Sequence, residues 1–123
     1  MKEVGVIIGF DGQPTLWHQP EGRSGGSIPD TRELWDALWA QRHHLTGFAH
    51  SHPGGGYASP SGTDLTTFAA IEAALGRRLV WWIANEQETI VLLWQGPGPH
   101  QYKSAAVPEP SWVAELRRRS TEG

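Results

Sequence analysis

The residues best equipped for chemistry lie between His50 and Asp64. They are His50-Ser51-His52-Pro53, a glycine run at Gly54, Gly55 and Gly56, then Ser61-Gly62-Thr63-Asp64. Side chains alternate along a strand, so a strand running through His52 points both imidazoles to one face. The Gly/Pro loop turns the chain back, and a helix opening at Ser61 presents Asp64 from its first turn. Two imidazole nitrogens and one carboxylate can hold a zinc ion and leave its fourth position open for water, the arrangement of a catalytic site. The His-x-His pair alone is weak, because 6 histidines in 123 residues produce about 0.3 such pairs by chance. Adding the Pro and a Ser-x-x-Asp at a short offset lowers the expectation to roughly one in ten thousand. Two half-buried histidines before a capped helix would explain Ser61 but not the coincidence.

Other chemistries fit the chain less well. There is no cysteine, which removes disulfides, thiolate zinc sites and cysteine nucleophiles together. No His-Glu-x-x-His helix is present. Amidohydrolases that use His-x-His need a barrel of about 250 residues, twice this length. Ser51 sits between two histidines, but Ala-His-Ser-His-Pro is not a nucleophile elbow.

The elements that must position these groups follow from patterning. Val4 to Phe10 reads as a strand ending in an Asp11-Gly12 turn, with a second strand over Pro14 to His18. A polar, Gly-rich loop covers Gln19 to Pro29. Asp30 reads as the N-cap of a helix ending near His44, with Glu33 completing a capping box. Leu34, Trp35, Leu38 and Trp39 form its apolar face, and His43 and His44 read as an ordinary helix end. Leu45 to His50 is the strand that carries the first histidine, and Ser51 to Pro60 a loop whose glycines allow it to move. Ser61 caps a helix to Leu75, which Gly76 stops. Leu79 to Ala84 and Thr89 to Gln95 read as a buried hairpin, followed by a closing strand and a helix over Ser111 to Arg119. The order predicts one sheet layered between helices, as a single domain over residues 1–123.

At the level of these motifs the sequence resembles the JAMM (MPN+) zinc metalloproteases, in their small prokaryotic deubiquitinase-like form. The resemblance rests on the early Gly5 to Gly9 strand (GVIIG), the helix before the His-x-His strand, His50-Ser51-His52-Pro53, and the helix opening on Asp64. It implies an α/β (α+β) fold: a single MPN/JAB-like domain whose mixed sheet is sandwiched by helices, with cytidine-deaminase-like layering. It also implies one zinc per chain, bound by His50, His52 and Asp64. Glu3 would then be the general acid/base, acting through the zinc-bound water, and Ser61 would be hydrogen-bonded near the developing oxyanion. Two departures stand out. The loop before Ser61 is one residue longer than the usual pattern. Aligned without a gap on GVIIG, the family's Glu falls on Lys2, one residue from Glu3. A one-residue slip reverses the face a side chain uses, so Glu3 serves only if the strand start is irregular or bulged. Glu21 and Glu33 are more distant substitutes.

Composition sets the context. The net charge of −3 argues against a phosphate-backbone binder, so no nucleic-acid partner is expected, nor a DNA-associated module of the related RadC type. No apolar stretch approaches a membrane span of about 20 residues, and the first residues lack a signal-peptide pattern, so a cytoplasmic protein is expected. The chain holds 7 tryptophans. Trp35, Trp39, Trp81 and Trp94 are assigned to the core, and Trp82 to the face opposite Trp81 as a surface or groove residue. Tyr57 either contacts substrate or packs its loop. Arg117, Arg118 and Arg119 read as a solvated helix face, or as a dock for an acidic partner. The resemblance implies a peptidase or isopeptidase acting after the C-terminal tail of a ubiquitin-like protein, as its precursor or conjugate. The alternative is a catalytically weak MPN-type scaffold that binds proteins.

Overall fold

The computed structural model describes residues 1–122; Gly123, the last residue of the expected single domain, lies outside the described residues. Six strands form one mixed sheet in the order β2-β1-β3-β4-β5-β6. They are β1 (Gly5–Gly9), β2 (Pro14–His18), β3 (Leu45–Ser51), β4 (Val80–Ala84), β5 (Thr89–Trp94) and β6 (Tyr102–Ala106). The helices are α1 (Arg32–Ala40), α2 (Gly62–Leu75) and α3 (Val113–Thr121). Neighbouring strands are antiparallel except β3 and β4, which run parallel. A parallel pair cannot be joined by a hairpin, and α2 is the crossover that joins this one. Among the described residues no helix is long and apolar enough to cross a membrane.

Alternation along the strands divides the core in two. Ile7, Phe48 and Trp81 pack with Leu34 and Leu38 of α1 and Phe68 and Ile71 of α2. Val6, Ile8 and Ala49 point the other way and pack on Trp112, Val113 and Leu116 around α3. The sheet is therefore sandwiched by helices, in three layers, as expected. Two strand glycines have steric reasons. A Cβ on Gly5 would lie 2.3 Å from the end of the Phe48 ring, and one on Gly47 would lie 1.7 Å from the Val80 carbonyl oxygen. Strand interiors disfavour glycine unless another group approaches closely, and here two do.

The α2 boundaries match the capping signals. Ser61 Oγ accepts from the Asp64 N–H, Asp64 Oδ2 accepts from the Ser61 N–H, and Gly76 ends the helix at φ +70°. α1 requires a correction. Its N-cap is Thr31, whose Oγ1 accepts from the Leu34 N–H, not Asp30. The Asp30 carboxylate is instead taken by the Trp35 indole N–H at 2.6 Å. The helix also stops at Ala40, and residues 41–44 form a turn. Trp39 is a second correction: it is 53% exposed and carries the Arg42 guanidinium over its ring at 3.9 Å. Trp82 does face away from Trp81, but it packs edge-on against Trp112 beneath α3 rather than forming a groove. The three arginines of α3 find acids nearby: Arg117 pairs with Glu109, Arg118 with Glu115 and Glu122, and Arg119 with Glu115.

Candidate metal centre

β3 extends one residue past His50, to Ser51, and its pattern decides which groups share a face. His50 lies opposite Gly5 on β1, and the Ser51 N–H donates to the Val4 carbonyl. The pairing thus continues in register toward the N-terminus, which sets Glu3 on the same face as Gly5 and His50. The register shifts of β1 lie at its other end, between Ile7 and Ile8 against β2 and between Ile8 and Gly9 against β3. The ladder ends irregularly at the start, as Glu3 requires: β1 begins at Gly5, and the Val4 N–H bonds the Ser51 side chain instead of its carbonyl. Lys2, the residue that alignment favoured, has its backbone tied to Ser120 of α3.

Glu3 is 5% exposed. Its N–H donates to the Ser24 carbonyl at 2.7 Å, and its own carbonyl accepts from Arg23. From behind, Ser51 Oγ accepts the Val4 N–H at 2.9 Å and donates to Ser120 Oγ, which donates to the Lys2 carbonyl. Ser51 points away from the two histidines, so it anchors the segment that carries Glu3 rather than attacking a substrate. Sequence reasoning did not find this role. Its only signal is position, because a residue between two same-face histidines must face the opposite layer.

The metal-ligating types converge. His50 Nε2 and His52 Nε2 are 2.9 Å apart, and Asp64 places Oδ1 3.3 Å from the first and Oδ2 3.1 Å from the second. Ligand atoms of Glu3, His50 and His52 all lie within 4.8 Å of one another. Two ligands on a tetrahedral zinc with bonds near 2.0–2.1 Å stand about 3.3 Å apart. The two imidazoles, and each imidazole with the Asp64 oxygen it faces, hold close to that spacing, Asp64 turning a different oxygen to each ring. Nitrogen and carboxylate donors suit zinc, though the same group can hold other divalent ions.

Burial and neighbouring charge oppose each other in this cluster. Burial acts to raise the Asp64 carboxyl, but hydrogen bonds with His50 and His52 outweigh it and hold the group well below the usual range. Burial acts to lower His52, and the hydrogen bond and charge of Asp64, with the charge of Glu3, reverse that and raise it. Glu3 is raised chiefly by burial, against the pull of His50 and His52. A carboxylate raised by burial beside two imidazoles is suited to taking up a proton.

The loop after His52 is hydrogen-bonded to the β4–β5 turn. The Glu86 N–H donates to the Gly54 carbonyl, and Gln87 Oε1 accepts the Gly56 N–H. Asn85 Nδ2 donates to the Gly56 carbonyl, and Glu88 Oε1 accepts the Ala58 N–H. Gly54 and Gly56 take φ of +122° and +82°, so these glycines serve backbone shape. Tyr57, 94% exposed, packs against nothing in its loop.

Glu3, His50, Ser61 and Asp64 line one cavity of about 200 Å³. Among known proteins, the family described as prokaryotic homologs of the JAB domain matches residues 4–95. No curated protein matches the chain.

Proposed function

Since the chain belongs to the prokaryotic homologs of the JAB domain, we propose that it is a zinc-dependent peptidase or isopeptidase that cuts after the C-terminal tail of a ubiquitin-like protein. The observation that carries this reading is the convergence of His50, His52 and Asp64 at zinc-like spacing with a buried Glu3 beside them. His50, His52 and Asp64 hold the metal. When bound, the ion polarises the scissile carbonyl and lowers the pKa of the attacking water.

Glu3 accepts the proton of that water and returns it to the leaving amine. Its raised pKa makes Glu3 a stronger base, which favours uptake of the proton in the first half of that cycle. Ser61 Oγ accepts from the Asp64 N–H, which leaves the hydroxyl hydrogen free to donate to the oxyanion as it forms. The same capping box orients Asp64, because the Ser61 N–H holds the Oδ2 that faces His52. A scaffold needs no proton carrier, and a buried carboxylate with two histidines beside it favours the enzyme over that second reading.

The test is direct. Purified full chain should contain about one zinc per chain, and with zinc it should release the C-terminal extension from a ubiquitin-like precursor fusion. A folded protein that takes up zinc yet cuts no fusion or conjugate would leave only the scaffold.

A further inference from the structure

The two edges of the sheet are not alike. β2 forms one, where the pairing is irregular at Pro14 and Arg119 lies over Trp17. β6 forms the other and contains no proline. Its backbone is only half paired. At one end of its ladder the Gln95 N–H donates to the Gln101 carbonyl, and at the other the Val107 N–H donates to the Thr89 carbonyl. Hydrogen-bonding direction alternates along a strand, so Lys103 and Ala105 turn their backbone groups toward β5. Tyr102, Ser104 and Ala106 turn theirs outward. Among the described residues, the N–H groups of Ser104 and Ala106 and the carbonyls of Tyr102, Ser104 and Ala106 have no partner.

Side chains do not shield this edge. The Tyr102 hydroxyl donates to Glu72 and its ring meets Phe68 edge-on, so it is drawn inward. Ser104, Ala105 and Ala106 are small and exposed. The helix behind the sheet stops short, because α3 packs over β1, β3 and β4 and leaves Leu93, beside Lys103, 40% exposed. A row of unpaired backbone groups is a template for another strand.

The sequence of β6 selects that strand. Against a second β6 running antiparallel, outward-turned residues must oppose one another. The registers that use most of the strand put Lys103, Ser104 or Ala105 on the two-fold axis. With Lys103 on the axis like charges meet directly, which is destabilising. With Ala105 there, Tyr102 meets Pro108, which has no N–H to give. With Ser104 there, neither fault occurs. Each Ser104 exchanges N–H and carbonyl with its twin, and each Ala106 N–H donates to the Tyr102 carbonyl of the other copy. Only the Ala106 carbonyl is left over, because the Tyr102 N–H already donates to His100. Lys103 falls opposite Ala105, whose methyl leaves room for the lysine stem. The one charge on the strand therefore fixes its register.

We propose that β6 pairs antiparallel with β6 of a second copy of this chain, about a two-fold axis at Ser104, giving one sheet continuous across a dimer. The contact is isologous. A strand of 5 residues buries too little for an obligate dimer, so the association depends on concentration. β4 and β5 separate this edge from β3, so the pairing stands whether or not the chain is a peptidase.

Sedimentation equilibrium of the full chain from about 1 µM to about 1 mM should show a mass that rises from monomer to dimer. Ala105→Glu sets a carboxylate opposite each Lys103 and should tighten the dimer about ten-fold. Ala105→Lys sets like charges there and should weaken it by about the same factor. Adding Lys103→Glu to Ala105→Lys should restore the dimer. Ser104→Pro removes an N–H that β5 does not use and should leave a monomer, with Tm as the check that each variant is folded. As wild-type concentration rises, amide exchange at Ser104 and Ala106 should slow, while the Lys103 and Ala105 amides, held by β5, should not change. A monomer throughout the range, or a dimer indifferent to both Ala105 variants, would overturn the proposal. So would a dimer in which the Ser104 and Ala106 amides exchange as fast as in the monomer. A monomer in which only an added Thr-Val repeat peptide slows those amides would also overturn it, and would give the edge to an unrelated extended chain.

Discussion

His50, His52, Ser61 and Asp64 enter the centre from one continuous stretch, held by a strand end and a helix cap. Glu3 enters from the opposite side and is held by groups remote in the chain. Ser51 lies 47 residues from Val4, and Ser120 lies 118 residues from Lys2. The first side is built by local rules: alternation along β3 and a capping box that orients Asp64. The second exists only when the sheet, the Gln19 to Pro29 loop and α3 have all packed. One expects the ligand side to survive damage that disables the proton-carrying side, and the difference can be measured.

The largest effect should come from the ligand side. Asp64→Ala removes one donor and leaves His52 without the carboxylate it faces. Zinc affinity should fall by more than about 100-fold, because even outer-shell partners are worth 10–100-fold. Hydrolysis should go with it. Retention of about one zinc per chain would mean that Glu3, His50 and His52 form the binding set and Asp64 does not.

Next comes Glu3→Gln, which keeps the Glu3 backbone bonds to Ser24 and Arg23 and the Val4 bond to Ser51 but removes the proton acceptor. Zinc content should hold while kcat falls about 10²–10⁴-fold. Equal loss of metal and activity would show that Glu3 is a ligand, and the two sides would no longer be separable.

A smaller effect is expected from Ser51→Ala. It leaves the Val4 N–H without its acceptor and breaks the link to Ser120, so about 1–3 kcal/mol of stability should be lost. Activity should fall further than zinc content, because Glu3 loses its rear support while β3 keeps His50 and the His52 N–H stays bonded to the Ala84 carbonyl. A lowered Tm with unchanged activity would show that Ser24 and Arg23 alone position Glu3.

The same division explains what sequence reasoning could reach. The α2 cap, the shared face of His50 and His52, and the three-layered architecture all depend on signals within a few residues of each other. Glu3 was named, but the face it uses could not be read from its neighbours in sequence, because the decisive fact is a cross-strand pairing, Gly5 with His50. The α1 cap slipped by one because Asp30 and Thr31 can both cap, and only the fold brings the Trp35 indole onto Asp30. Trp39 lies on the apolar stripe, yet the helix ends one residue later and the Arg42 guanidinium, rather than the core, lies over its ring. The braces on the Gly54 to Gly56 loop come from the β4–β5 turn, whose Asn, Gln and Glu read from sequence only as turn residues.

The smallest effect concerns pH. In metal-free protein, Asp64 raises His52 against the effect of burial. A group whose folded pKa is raised stabilises fully below its unfolded value, here 6.5, and that contribution is lost as pH rises through the folded pKa. Glu3, raised from 4.5, acts in the same sense. Asp64 is depressed and acts oppositely, but its contribution is lost only as pH falls below 3.8. Zinc requires neutral imidazole, so its stabilisation grows over the same range in which the metal-free protein loses support. The Tm gap between zinc-loaded and metal-free protein should widen by a few degrees (~2–4 °C) from about pH 6 to about pH 8. His18, lowered mainly by burial, is present in both forms and cancels in the difference. His52→Gln should flatten the metal-free curve above pH 6.5. A gap that narrows as pH rises would mean that His52 and Asp64 do not form a proton-stabilised pair in the absence of metal.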